Sequence, residues 1–158
     1  MKRTTLLLSL CAAAFLALTG AALQTQEICD QKGLKARTKE KLDPYKYDSG
    51  KLTKVTYKNK AQVKETEIPV FIGEKYRMVF NTEALSKNII ITVYNKDKES
   101  KGRKALWSSK DQPAGSKLHI WEPDKRAMKY FVDYEIPAAA DSAFLNKQEC
   151  MVFMLGYK

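Results

Sequence analysis

The stretch Met128-Lys129-Tyr130-Phe131-Val132-Asp133-Tyr134-Glu135-Ile136 decides the fold class. Met128, Tyr130, Val132, Tyr134 and Ile136 fall on one side of an extended chain, and Lys129, Phe131, Asp133 and Glu135 on the other. A period of two residues places successive side chains on opposite faces, so this pattern predicts a β-strand with one apolar face.

The sequence on both sides repeats that reading. Downstream, residues 138–145 suit a short helical turn, and residues 150–157 are apolar on both faces, which marks a central strand. Upstream, residues 118–121 and 104–108 read as short strands bounded by Pro123-Asp124, Pro113-Ala114-Gly115 and a charged turn over residues 95–102. Residues 88–94 alternate Ile89, Ile91 and Val93 with Ile90, Thr92 and Tyr94, a second central strand. Residues 76–80, with Tyr76, Met78 and Phe80 alternating with Arg77 and Val79, read as a further strand, and Pro69 places the strand over residues 62–72 at an edge or a bulge. Asp48-Ser49-Gly50 between residues 44–47 and 51–58 has the composition of a hairpin turn. Residues 26–42 are the helix candidate, polar and rich in lysine, without a good apolar stripe. Eight or nine short strands at this spacing predict an all-β chain folded as a single antiparallel β-sandwich, jelly-roll-like.

The first two dozen residues are of a different kind. Lys2 and Arg3 precede an apolar run over residues 6–18, and Gly20 and Ala22 supply small residues at its end. That order is a secretory signal peptide over residues 1–22, the apolar run being too short for an ordinary membrane span. The alternative is an uncleaved anchor. Cys11 lies inside the apolar run and Cys29 too far beyond it for a lipoprotein site. Cleavage after Ala22 leaves residues 23–158 as one domain, without a further integral span, in the periplasm or outside the cell. Cys29 and Cys150 are its two cysteines, and in an oxidising compartment an even pair predicts a disulfide.

The order of residues 68–80, 89–94, Leu106-Trp107, 118–121, 129–134 and 152–157 resembles bacterial pre-peptidase C-terminal domains. The resemblance covers roughly the last ninety residues, in strand order and aromatic placement. It implies a small secreted sandwich of the kind that accompanies exported enzymes. The acidic run of that family is only partly matched, by Asn95, Asp97 and Glu99, and no functional residue carries over.

Charge is the most unusual feature of the composition. Of the formal net charge of +10, the leader carries two units and the remainder +8. Residues 30–64 hold eleven Lys/Arg against four Asp/Glu, whereas residues 65–158 hold fifteen against thirteen. Within the basic third, Tyr45, Tyr47 and Tyr57 alternate with Lys46, Lys51, Lys54, Lys58, Lys60 and Lys64. Cations attract phosphate- or sulfate-bearing polymers and tyrosine rings offer stacking surfaces, so these nine residues are the candidate polyanion-binding face. The competing explanation is a solvated sheet face, with lysines that blunt a sheet edge and tyrosines that pack.

Catalytic signals are sparse. His119 is the one histidine, in a strand beside Trp121, and with no nucleophile elbow accompanying it the expected place is a surface or rim. Glu65 with Glu67, and Asp133 with Glu135, pair carboxylates on strand faces, which any solvated sheet face also does. Lys96, Lys98 and Lys101 interleave with Asn95, Asp97 and Glu99 and oppose a calcium site. No catalytic residue, metal or cofactor is therefore assigned. The expected function is an exported, non-enzymatic binding or accessory module whose partner is a protein or an anionic envelope polymer or polysaccharide, nucleic acid being the less physiological choice. The alternatives are a small periplasmic hydrolase with a site near His119 and a structural envelope protein.

Overall fold

The computed structural model describes residues 29–125 and 127–158. The expected leader, and the first residues of the expected helix, lie outside them. Eight strands follow in order: β1 (Lys46–Thr56), β2 (Gln62–Pro69), β3 (Tyr76–Asn81), β4 (Ile90–Tyr94), β5 (Ala105–Ser108), β6 (Leu118–Trp121), β7 (Lys129–Ile136) and β8 (Gln148–Tyr157). A single α-helix among the described residues, α1 (Gln31–Glu40), precedes them.

The strands form two four-stranded sheets, ordered β1-β8-β3-β6 and β2-β7-β4-β5, with antiparallel pairing throughout. β1 pairs with β8, β2 with β7, β3 with β6 and β4 with β5, as in one long hairpin closed at the β4–β5 turn. The further pairs β3–β8 and β4–β7 roll that hairpin into two layers. This is a jelly-roll sandwich. As their two-sided apolarity requires, β8 and β4 each lie between two partners.

The core lies between the sheets. Tyr130, Val132, Tyr134 and Ile136 of β7 meet Ile89, Ile91 and Val93 on one side, and Met78, Phe80, Met151, Phe153 and Leu155 on the other. Met128, expected on that same apolar face, precedes β7 and is 69% exposed.

A second, smaller cluster corrects the reading of the helix. Leu34 and Leu42 pack on Val79, Val152 and Met154, on the outer face of the β1-β8-β3-β6 sheet. Leu34, Thr38 and Leu42 are all buried, so two leucines and a threonine suffice as the stripe, Thr38 returning its hydroxyl to the Leu34 carbonyl at 2.6 Å. The Asp30 carboxylate caps the helix by accepting the Gly33 N–H at 2.8 Å. Beside that cap, Cys29 is joined to Cys150 of β8 by a disulfide.

One local expectation is also corrected. Asp48-Ser49-Gly50 makes no hairpin: β1 runs through it, with a bulge between Tyr47 and Ser49 where the register on β8 shifts. Opposite the start of β1 the chain packs closely on Gly156, where a β-carbon would meet the Tyr45 β-carbon at 2.9 Å, the Leu42 side chain at 3.0 Å and the Lys46 carbonyl oxygen at 3.1 Å. Within the short helical turn expected over residues 138–145, residues 142–145 form hydrogen-bonded turns, with the Asp141 carboxylate accepting the Ala143 N–H at 2.9 Å.

Candidate functional site

The nine residues of the Lys/Tyr stretch divide three ways in the fold. Tyr45 and Tyr57 are buried and offer no stacking surface. The Tyr45 hydroxyl donates to Glu122 at 2.6 Å, and its ring is sandwiched by cations, with the Arg77 guanidinium 4.5 Å and the Lys158 Nζ 4.3 Å from its centre. Burial and the Glu122 carboxylate push the Tyr45 hydroxyl above its ordinary range. Tyr57 donates to Glu149 at 2.8 Å. Both tyrosines are therefore structural, and Tyr47 alone of the three stays exposed.

The lysines lie along one open side of the sandwich. β1 and β2 are edge strands of different sheets, and their facing edges are bridged by side chains. Lys64 Nζ donates to the Lys54 carbonyl at 3.2 Å, and Gln62 Nε2 to the Thr56 carbonyl at 3.0 Å, so polar side chains of β2 satisfy outward carbonyls of β1. Lys51 reaches back toward the Thr66 hydroxyl at 3.5 Å. Lys51 and Lys64 thus guard the gap between the two sheet edges. Lys46, Lys54, Lys58 and Lys60 are exposed, the first at the start of β1 and the last two in the β1–β2 turn.

None of these six lysines forms an ion pair among the described residues, whereas Arg37, Arg77, Arg103, Lys110, Lys129 and Lys147 all do. The acidic partners are spent elsewhere. Glu65 and Asp133, expected on strand faces, both grip Arg103, at 2.8 and 2.9 Å, and the guanidinium lies 3.5 Å from the Tyr94 ring centre. Glu67 pairs with Lys129 at 3.1 Å, and Glu135 with Lys110 at 3.8 Å. These contacts occupy the paired carboxylates in ion pairs.

Glu149 is the most constrained carboxylate. Burial alone would raise its pKa, but Lys147 at 2.8 Å, the N–H and hydroxyl of Ser86, and Tyr57 together lower it to about 2. His119, expected at a surface or rim, is 7% exposed and packs edge-on against Trp107, with ring centres 6.0 Å apart. Burial lowers its pKa, and no hydrogen bond joins its ring to a hydroxyl or carboxylate among the described residues. Asp97 accepts from the Ser100 hydroxyl and the Glu99 N–H, and Asn95 accepts the Lys104 N–H at 2.7 Å. Among the described residues no group of acidic, histidine or cysteine side chains has the arrangement of a metal site.

A feature the sequence did not single out lies at the end of the sandwich where β2 leads into β3 and β6 into β7. A cleft of about 370 Å³ is floored by Tyr45, Val70, Tyr76 and Tyr130 and walled by Phe71, Glu74, Lys75, Glu122, Asp124 and Lys125. The Tyr76 hydroxyl accepts the Phe71 N–H at 2.9 Å, and the Tyr130 hydroxyl donates to the Lys125 carbonyl at 2.7 Å, so each wall is pinned to its floor. An available signal was the run Val70-Phe71-Ile72-Gly73, apolar beyond the proline that ends β2.

Comparison of the chain with known families, with curated proteins and with solved structures finds no match.

Proposed function

We propose that this chain is an exported β-sandwich binding module that holds an anionic polymer of the cell envelope along the open β1/β2 side. The observation that carries this reading is the set of six lysines on that side, none neutralised by a carboxylate among the described residues. Lys46, Lys54, Lys58 and Lys60 present the charge, and Lys51 and Lys64 bridge the two sheet edges. Tyr47 is the one aromatic ring available for stacking beside them. The Cys29–Cys150 disulfide agrees with an oxidising compartment, as does the signal peptide read in residues 1–22. Among the described residues no helix is long and apolar enough to cross a membrane.

The test is the salt dependence of binding to immobilised heparin or lipopolysaccharide. Each lysine that neutralises a ligand charge releases a counterion, so the logarithm of affinity falls linearly with the logarithm of salt. A slope of several ions supports the proposal. A slope near zero removes it.

A further inference from the structure

At the cleft end the most exposed apolar side chains of the described residues come together. Phe71 is 77%, Ile72 64% and Met128 69% exposed, and the Val70 N–H bonds the Met128 carbonyl at 3.0 Å, which holds the two loops side by side. Phe71 and Ile72 follow Pro69, the last residue of β2, and Met128 precedes β7. Apolar groups this exposed on a pinned backbone mark an interaction surface. The cleft beside them is lined by charges of both signs, Lys75 and Lys125 with Glu74 and Asp124, over a floor of tyrosine rings.

We infer that this end of the sandwich docks on a bilayer of zwitterionic phospholipid, with Phe71, Ile72 and Met128 entering the boundary between headgroups and acyl chains and one headgroup lying in the cleft. Two features select that occupant. Two backbone donors at the base of the tip are already satisfied, Val70 N–H by Met128 and Phe71 N–H by the Tyr76 hydroxyl, so burying these two away from water leaves neither orphaned. The mixed charge of the cleft complements a zwitterion: Lys75 and Lys125 suit its phosphate, and Glu74 and Asp124, beside tyrosine rings, suit its ammonium. Glu122 is excluded from that role because Arg77 holds it at 2.6 Å and Tyr45 at 2.6 Å.

This inference does not depend on the lysines of the β1/β2 side, and its test separates the two. Phe71→Trp places a reporter on the tip. With vesicles of zwitterionic lipid alone, in salt high enough to abolish heparin binding, its emission should shift to the blue and be quenched by brominated acyl chains. Phe71→Ser with Ile72→Ser should weaken vesicle binding by roughly tenfold or more, since two apolar side chains no longer leave water. Both changes are at exposed positions, and an unchanged thermal transition verifies the fold. Unshifted emission, or equal vesicle binding by the serine variant, overturns the inference. So does sedimentation that shows a dimer dissolved by the serine pair, because a second copy would then cover the tip.

Discussion

Lys64 of β2 donates its Nζ to the main-chain oxygen of Lys54 on β1 at 3.2 Å, so the gap between the two sheet edges is closed by a cation rather than by another strand. An edge strand is a template for pairing with other chains, and an ammonium on the edge makes that pairing costly. Replacing Lys51 and Lys64 together with valine should leave the monomer as stable as before, or slightly more so. It should also cause concentration-dependent aggregation with increased β signal. Light scattering across a dilution series checks this, and a variant that stays monomeric contradicts the guarding role.

The helix depends on a covalent tie as well as on two leucines. Cys29 and Cys150 close a loop with a sequence separation of 121, and Cys29→Ala with Cys150→Ala should lower stability by roughly 2–5 kcal/mol. Peptide mapping without reduction should recover the Cys29–Cys150 pair. Chemical denaturation of the double variant measures the loss.

Acid should act first through Glu149. Its folded pKa of about 2 lies below the ordinary 4.5, so the carboxylate contributes stability that is complete above 4.5 and is lost as pH falls toward 2. Glu149→Gln should cost on the order of 2–4 kcal/mol at neutral pH, because Lys147, Ser86 and Tyr57 lose a charged acceptor. The variant should also flatten the stability curve between those two pH values. Urea denaturation at several pH values distinguishes this from a uniform offset.

His119 gives a second pH signature. Burial beside Trp107 lowers its pKa below the ordinary 6.5, so it contributes stability above 6.5 that declines as pH falls through the lowered value. Proton NMR should place its titration under 6.5. A value above 6.5 would mean that the imidazole is not held in an apolar setting.

The strands were legible because their patterns are local. Residues 118–121 and the alternation of Tyr130, Val132, Tyr134 and Ile136 appear in the structure as read, since a period of two needs no distant information. Asp48-Ser49-Gly50 misled because turn residues also populate bulges, and only the pairing with β8 distinguishes the two. Tyr45 and Tyr57 misled for a longer-range reason. Their hydroxyls are satisfied by Glu122 and Glu149, 77 and 92 residues away, and a tyrosine with a distant carboxylate partner reads locally like a surface one. The cleft depends on two loops far apart in sequence, and no single window contains it.

The central claim is that charge on the β1/β2 side binds as a site and not as a diffuse field. Two variants with the same loss of charge test it most directly: Lys54, Lys58 and Lys60 to Gln, and Lys98, Lys101 and Lys104 to Gln. The second set is exposed and forms no ion pair among the described residues, and it flanks β5, the edge strand farthest from β2 in its sheet. The measurement is affinity for heparin or lipopolysaccharide as salt is raised. A local site predicts that the first variant loses much more affinity, and about three ions of salt slope, while the second stays near the unmodified protein. Equal losses in the two variants would contradict the account.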